Sequence, residues 1–325
     1  MRKVCLDTVH LLAKRDPRVV FIGSDLGPGV LAGMKKEFPE RYFMEGISEA
    51  NVIGMAAGLA MDGFIPYVNT IATFITRRGF EQVALDLCLH RLPVRLIGNG
   101  GGVVYAPLGP THLAVDDFAL MRVLPNMTVM AVSDADEMRR LMVQSLDWPD
   151  PIYIRLAKGG DKIISKEENS FAIGKAIPMR KASAADYVLF VTTGVMTTHT
   201  LAAAESLIAK GIDSTILHFH TIKPLDAPAL LSYAAQAKAI VTVEEHSCVG
   251  GFGSAIIEAL IDNLTTIPPV KRIGLADAFS QHYGAQNDLF EVNGLMPQQI
   301  AETTERFLNR IANLPSGGLA NGPTL

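Results

Sequence analysis

The feature that most constrains the fold is a series of short apolar runs, several of which end at a glycine. Residues 18–23 and 93–98 are two such runs, and each has the composition of a strand buried on both faces of a sheet. Segments with the spacing of amphipathic helices lie between the runs, and residues 3–15 are an example. Strands that alternate with helices form βαβ units, so the sequence predicts an α/β fold with mostly parallel sheets.

The alternation occurs twice, on either side of a polar and irregular segment at residues 158–170. A chain of 325 residues is long enough for two domains that each bury a core. We therefore predict two doubly wound domains, one over residues 1–165 and a second over residues 175–312. The glycine- and proline-rich residues 313–325 are predicted to form a disordered tail.

Composition narrows the class of protein and its partners. Apolar residues make up 49% of the chain and charged residues 19%, which fits a folded α/β interior rather than disorder. The net charge of −4 argues against nucleic acid or an anionic membrane as the main partner. No run approaches the roughly 18 apolar residues of a membrane helix. The three cysteines lack metal-binding spacing, so we expect a soluble, cytoplasmic protein.

Glu49 lies between a strand-like segment and a helix of small residues. Ser48 has the residue type of an N-cap, and Gly54 and Gly58 would let the following helix pack closely. An acid in the first turn of a helix commonly serves to interact with the helix dipole. On these residues alone, Glu49 is either such a structural acid or a functional one.

The neighbouring loops favour a functional role for Glu49. Open parallel sheets bind ligands beyond the carboxyl ends of their strands. Three connections of the first half meet that rule: the one before Glu49, the one that contains Phe74, and the glycine-rich loop that ends at His112. Together they offer a carboxylate, an aromatic face, a histidine and nearby cations. We also predict a helix from about residue 71 to residue 90.

These segments resemble those of transketolase-type thiamine diphosphate enzymes. Residues 47–49, with the helix that follows, are similar to the segment that carries the cofactor-activating glutamate. Thr73-Phe74, upstream of Arg78, is similar to the segment whose phenylalanine stacks on the cofactor's aminopyrimidine. Gly109-Pro110-Thr111-His112 is similar to the substrate-side histidine motif and is the most specific of the three.

The resemblance covers about residues 1–312 in the family's order. Residues 150–155 are similar to a strand that ends in a phosphate-binding arginine, and residues 243–254 resemble the start of the C-terminal domain's signature. The resemblance implies a pyrimidine-binding domain followed by a transketolase C-terminal-like domain. Adjacent Glu244 and Glu245 would face opposite sides of a strand, so we interpret them as packing and interface polarity rather than as a catalytic pair.

The resemblance implies that Glu49 activates thiamine diphosphate. Its carboxyl, protonated or sharing a proton, would bond to a ring nitrogen of the aminopyrimidine and favour the imino tautomer, which removes the thiazolium proton. We expect the apolar side chains of Met44, Ile47, Val52 and Ile53 to surround the carboxyl and to favour the proton-sharing form.

Other site residues follow from the same resemblance. Phe74 would stack on the pyrimidine, and Ile47 and Ser48 would border the cofactor. His112 would bond to donor-sugar oxygens or move protons. Judged without the resemblance, Phe74 is more commonly a core residue and His112 a structural one.

Arg155 and Arg77 are the candidates for binding a substrate phosphate, because a guanidinium binds phosphate through paired hydrogen bonds. The alternative for each is a surface cation. Sugar phosphates are therefore the expected substrates. Leu108 departs from the family, because it stands where an aspartate normally contacts a donor hydroxyl. A leucine would leave that hydroxyl unpaired, so the sequence does not identify the donor sugar.

A partner chain is implied by a motif that the sequence lacks. Transketolases hold the diphosphate and its Mg²⁺ (or Ca²⁺) with a Gly-Asp-Gly motif and a later asparagine, and no Gly-Asp-Gly occurs here. We therefore expect no metal ligands on this chain and a second polypeptide that supplies the diphosphate-binding domain. The expected assembly is an α2β2 heterotetramer built on a homodimer of this chain.

The sequence thus predicts the small, pyrimidine-binding subunit of a two-component transketolase, which transfers a two-carbon ketol unit from a ketose phosphate to an aldose. One alternative keeps the fold and cofactor but changes the substrate: a β-subunit of a 2-oxoacid dehydrogenase complex, or an enzyme like deoxyxylulose-phosphate synthase. Another is a non-catalytic subunit that scaffolds or regulates a partner.

Overall fold

The computed structural model describes residues 1–24, 29 and 31–313. The predicted tail therefore lies outside the described residues, apart from Asn313. The described part has two parallel-sheet layers covered by helices, so the predicted α/β class is confirmed.

The N-terminal half is built around a sheet whose own strands all run parallel. In chain order these are β1 (Val19–Ser24), β2 (Tyr42–Glu45), β3 (Ile65–Ile71), β4 (Arg95–Asn99), β5 (Thr128–Met130) and β6 (Ile152–Leu156). They lie side by side in the order β5-β6-β4-β3-β1-β2. Every residue of β1, β4 and β6 is buried, as the apolar runs predict.

Helices cover both faces of this sheet. They are α1 (Arg2–Arg15), α2 (Ala32–Glu37), α3 (Glu49–Met61), α4 (Ala72–Arg77), α5 (Phe80–Gln82), α6 (Asp117–Val123) and α7 (Ala135–Ser145). Asp134 caps α7, because its side chain accepts hydrogen bonds from the backbone N–H groups of Asp136 and Glu137.

The prediction of one helix from residue 71 to residue 90 is wrong. The segment consists of α4, a bend at Gly79, the short α5 and a π-helical stretch at Val83–Leu89. A Cβ at Gly79 would lie 2.1 Å from the Cδ1 of Ile53 in α3. Glycine therefore lets the bend lie directly against α3, which brings the end of α4 above the start of α3.

The C-terminal half contains a second, five-stranded sheet. Its elements are β7 (Ile177–Arg180), β8 (Tyr187–Thr192), α8 (Met196–Ile208), β9 (Ser214–His218), β10 (Thr221–Lys223), α9 (Ala227–Ala234), β11 (Ala237–Ser247), α10 (Phe252–Asn263), β12 (Val270–Leu275), α11 (Gln286–Val292) and α12 (Pro297–Ala312). The sheet order is β12-β11-β8-β9-β7, and only β7 is antiparallel to its neighbour.

Strand β10 joins the two halves. It leaves the C-terminal half and pairs antiparallel with β5, so the first sheet has seven strands. Buried Phe118 and Met121 of the first half share one apolar cluster with Phe219 and Phe252 of the second. This common core fixes the position of one half against the other. The domain bounds themselves stay a prediction.

All three cysteines are free thiols, and Cys5 and Cys88 are buried. Burial raises the pKa of each of these two thiols to about 12, so neither is a thiolate nucleophile at neutral pH. Among the described helices, none has both the length and the apolar character needed to span a bilayer.

Candidate active site

Glu49 is the first residue of α3, and its side chain is buried although it is an acid. Its carboxylate accepts hydrogen bonds from Nη1 of Arg78 through both oxygens, each at 3.3 Å. Burial of a charge is costly unless it is paired, so this contact accounts for how Glu49 is accommodated.

The apolar surround expected for Glu49 is only partly present. Val52 and Ile53 are fully buried beside it in α3, whereas Met44 and Ile47 are 41% and 67% exposed. Ser48 stands at the N-cap position, but its side chain makes no cap hydrogen bond and its Oγ instead donates to the Gly46 carbonyl at 3.4 Å. Ser48 is therefore the N-cap residue, as its residue type predicts, although its hydroxyl turns back into the preceding loop instead of capping a helix N–H group.

Phe74, on α4, is linked to Glu49 through Arg78. The guanidinium carbon of Arg78 lies 4.0 Å from the centroid of the Phe74 ring. His112 meets the same ring edge-on, with the centroids 5.2 Å apart, and its Nδ1 is hydrogen-bonded to Thr111 Oγ1 at 2.9 Å. The structure therefore brings Glu49, Phe74 and His112 together at one edge of the first sheet.

Arg78 belongs to the cluster in the structure, although the sequence did not predict it as a site residue. It follows Phe74 by four positions, and side chains at that spacing share one face of a helix. That spacing was the available signal, and it becomes meaningful only because α4 ends next to Glu49. Glu49 and Phe74 together bind the planar guanidinium of Arg78. The guanidinium donates N–H bonds to the Glu49 carboxylate and lies over the Phe74 ring.

Arg77 points away from this cluster. It forms an ion pair with Asp116, with Nε 2.9 Å from Oδ2 and Nη2 3.0 Å from Oδ1. With Pro110, Leu113 and Phe279 it lines a largely apolar cavity of about 280 Å³ between the histidine loop and the C-terminal half.

Arg155 is buried rather than placed at the cluster. Its Nη2 donates to Asp117 at 3.0 Å and to the Ala114 carbonyl at 2.8 Å, and its guanidinium lies 4.1 Å from the Phe118 ring centroid. Arg77 and Arg155 each have a carboxylate partner already. Their predicted phosphate-binding role stays a prediction, and these contacts do not favour it.

Glu244 and Glu245 point in opposite directions from β11, as strand alternation predicts. Glu244 accepts the backbone N–H groups of Phe252 and Gly253 at the start of α10, at 2.6 and 2.8 Å. Glu245 accepts from the Val103 N–H at 2.8 Å, across the boundary between the halves. Burial raises the pKa of each carboxyl to about 7. They anchor a helix and a loop rather than forming a dyad.

Within the described ranges, no three His, Cys, Asp or Glu side chains are grouped so that they could hold a metal ion. The cluster itself offers one buried carboxylate, one aromatic face, one imidazole and the guanidinium of Arg78.

Comparison with known proteins gives a consistent result over both halves. Residues 1–160 match the family described as transketolase, pyrimidine binding domain, and residues 178–300 match transketolase, C-terminal domain. The chain is 35% identical over 311 residues to the 6-deoxy-6-sulfo-D-fructose transketolase subunit SqwH of Clostridium sp. (strain MSTE9), and the match covers 94% of this chain and 95% of that protein.

Two further relatives differ in length. The 1-deoxy-D-xylulose-5-phosphate synthase 1 of Geobacter sulfurreducens is 37% identical over 305 residues, which cover 93% of this chain but only 47% of that protein. The chain thus spans about half of that relative. A solved structure described as "Split gene transketolase, inactive beta4 tetramer" matches with a TM-score of 0.86 and 33% identity, over 95% of this chain and 98% of that one.

Proposed function

The chain belongs to the transketolase family, and from that premise we propose that it is the small, pyrimidine-binding subunit of a two-component transketolase. Members of this family use thiamine diphosphate. The proposed reaction moves a two-carbon ketol unit from a ketose phosphate to an aldose. The observation that carries the proposal is the clustering of Glu49, Phe74 and His112 at one sheet edge.

Glu49 and Phe74 would hold the cofactor's aminopyrimidine, with Ile47 and Ser48 beside it. When bound, thiamine diphosphate supplies a thiazolium that stabilises a carbanion. Glu49 would hold a proton at a ring nitrogen, and the buried position of its carboxyl keeps water from competing for that proton. The fit is supported by the planar N–H donor, the Arg78 guanidinium, that this pair already binds.

His112 would act on the substrate side of the same site. Its ring is oriented by Thr111 at Nδ1, so Nε2 is the nitrogen available to bond a donor-sugar oxygen or to move a proton. The T-shaped contact with Phe74 holds the imidazole next to the ring that would stack on the cofactor. Arg77 and Arg155 remain the proposed phosphate ligands only if their ion pairs open.

A partner chain would complete the site. We place the diphosphate and its Mg²⁺ (or Ca²⁺) mainly on that partner, in an α2β2 assembly around a homodimer of this chain. Support comes from two relatives: the Clostridium protein is named as a subunit, and the solved relative is described as the product of a split gene that forms an inactive β4 tetramer. Free buried thiols support a reducing, cytoplasmic location.

A second candidate keeps the cofactor and changes the donor. The 37% identity to 1-deoxy-D-xylulose-5-phosphate synthase favours it, although the chain spans about half of that relative. Release of carbon dioxide from pyruvate by the reconstituted complex would support this second candidate, and ketol transfer without such release would support the first.

Substitution of Glu49 tests the proposal. In a complex reconstituted with a diphosphate-binding subunit, Glu49→Ala should abolish ketol transfer while the assembly keeps its size in sedimentation. Glu302→Ala, on the exposed face of α12, is the matched control. Unchanged transfer in Glu49→Ala would instead support a scaffolding subunit.

A further inference from the structure

Arg78 makes, from within the chain, the two contacts that the proposed function assigns to the aminopyrimidine. Its Nη1 donates to both carboxylate oxygens of Glu49, and its guanidinium carbon lies over the Phe74 ring, 4.0 Å from the ring centroid. A guanidinium is planar and donates N–H groups, and it stacks on aromatic faces. In shape and bonding it is therefore a substitute for a stacked ring that donates an N–H to a carboxylate.

The two groups cannot occupy this place together. His112 packs against the Phe74 ring in a T-shaped contact, and Arg78 lies over the ring where it faces Glu49. A ring that stacks on Phe74 and also reaches Glu49 needs the volume that the guanidinium fills. Cofactor binding at this pair therefore requires Arg78 to leave.

Arg78 is able to leave, whereas Glu49 is not. The Arg78 side chain is 50% exposed and that of Glu49 only 2%. Arg78 stands just after the last residue of α4 and directly before Gly79, so its side chain can turn into solvent without moving a packed helix. Its bonds to Glu49, at 3.3 Å, are longer than the usual 2.7–2.9 Å of charge-assisted hydrogen bonds.

We propose that Arg78 is an intramolecular gate. Its guanidinium occupies the place of the aminopyrimidine until the cofactor displaces it. The inference rests on the proposed function. The closed gate keeps the buried Glu49 carboxylate paired in the uncombined subunit, where an unpaired charge would be costly. The apparent affinity for the cofactor is reduced by the fraction of chains in which the gate is open.

The size of this reduction follows from the contacts that must break. A half-exposed ion pair together with a cation–π contact changes an equilibrium constant by roughly 3- to 30-fold. Removing both contacts should therefore tighten cofactor binding by that factor. The gain should appear mainly as faster association, because the step removed precedes binding.

Calorimetric titration with thiamine diphosphate and Mg²⁺ tests the gate in the reconstituted complex. Arg78→Met should bind the cofactor roughly 3- to 30-fold more tightly than wild type. Arg78→Lys, which keeps the charge but loses the planar guanidinium, should show a smaller gain and serves if Arg78→Met does not fold. Arg91→Met is the matched control, since Arg91 is an exposed arginine paired with Asp150 far from the site, and it should leave the affinity unchanged.

The outcomes separate the gate from the proposed function. Equal or weaker binding by Arg78→Met and Arg78→Lys, with wild type binding normally, would overturn the gate and leave the proposed function intact. Binding by none of the variants and none by wild type would overturn the proposed function, and the gate with it.

Discussion

The Glu245 carboxylate accepts a hydrogen bond at 2.8 Å from the backbone N–H of Val103, so the C-terminal half holds the glycine-rich loop that leads to His112. Gln286 donates to the same oxygen at 2.9 Å. The C-terminal half therefore contributes to the candidate site by supporting the backbone of this loop. It fixes the backbone from which the histidine motif begins.

Neutralising this carboxyl should change how stability depends on pH. Burial raises the pKa of Glu245 from 4.5 to about 7, so the folded chain keeps a proton that the unfolded chain has lost between those values. The free energy of unfolding should fall as pH rises from about 4.5 to about 7 and then level off. Glu245→Gln keeps an acceptor oxygen and removes this pH dependence. Relative to wild type, its free energy of unfolding should be higher at pH 8 than at pH 5 by on the order of 1–3 kcal/mol.

Urea unfolding at pH 5 and pH 8 measures this difference. Part of the decline should remain in Glu245→Gln, because burial raises the pKa of Glu244 in the same way. Glu302→Gln, on an exposed helix face, should behave as wild type. An equal decline in Glu245→Gln and wild type would contradict the assignment.

The loop at Gly102 should not tolerate a side chain. Gly102 has φ +60°, and a Cβ there would lie 2.3 Å from the Glu245 carboxyl carbon. Gly102→Ala should lower the free energy of unfolding by about 1–3 kcal/mol, through backbone strain and overlap. The close packing predicted at Gly58 is not present in the structure, because a Cβ there meets nothing within 4 Å. Gly58→Ala is therefore the control and should raise stability by up to about 1 kcal/mol. Thermal unfolding compares the two variants.

A second buried acid, Glu137, joins the halves at another point. It accepts from the Ser133 N–H at 2.6 Å and is bonded to His218 Nε2 at 3.0 Å. Burial alone would raise its pKa, but the charge and hydrogen bond of His218, with smaller contributions from His220 and the Ser133 N–H, lower it to about 2. Its contribution to stability is therefore present above about pH 4.5 and is lost as pH falls toward 2.

Removing Glu137 should be costly at neutral pH. Glu137→Ala would leave buried donors on both halves unpaired, and we expect a loss of about 3–5 kcal/mol at pH 7 that shrinks in acid. Guanidinium unfolding at pH 7 and pH 3.5 measures it. Glu168→Ala, at an exposed acid, controls for the charge change. A loss below about 1 kcal/mol at pH 7 would show that the bond to His218 is not what joins the halves there.

Leu108 should control the choice of donor. It is 52% exposed at the end of a short turn before Gly109, so a polar replacement should not disturb the fold. Leu108→Asp supplies an acceptor for a donor hydroxyl, and we expect xylulose 5-phosphate to be used better, by 10-fold or more, on the scale of about 1–3 kcal/mol for such a contact. Leu108→Asn is the uncharged control. If the unaltered complex already turns over xylulose 5-phosphate as well as Leu108→Asp does, the premise that Leu108 disfavours this donor is contradicted.

Local patterns predicted most of the first half. The apolar runs at β1 and β4 and the placement of Glu49, Phe74 and His112 on converging connections depend on short stretches of sequence, and the structure brings those three residues together. Strand β10 was not anticipated. It has three residues and pairs with a strand some ninety positions earlier, so no local period reveals it.

The site assignments that failed or stayed open depend on distant contacts. Arg155 has the sequence context of a phosphate ligand, but the structure pairs it with Asp117, which lies 38 positions away. Arg78 meets Glu49 only because Gly79 breaks the predicted helix against Ile53. Both contacts depend on how α4, α6 and the sheet pack, and local sequence patterns do not predict that packing.

The most direct test of the central claim, that this chain supplies one half of a cofactor site, is cofactor binding by separate and mixed subunits. Thiamine diphosphate with Mg²⁺ would be titrated calorimetrically into this chain, into a diphosphate-binding subunit and into their mixture. We predict saturable binding in the mixture, loss of that binding in Glu49→Ala, and far weaker binding by either chain alone. Binding by the partner alone that equals binding by the mixture would contradict the claim.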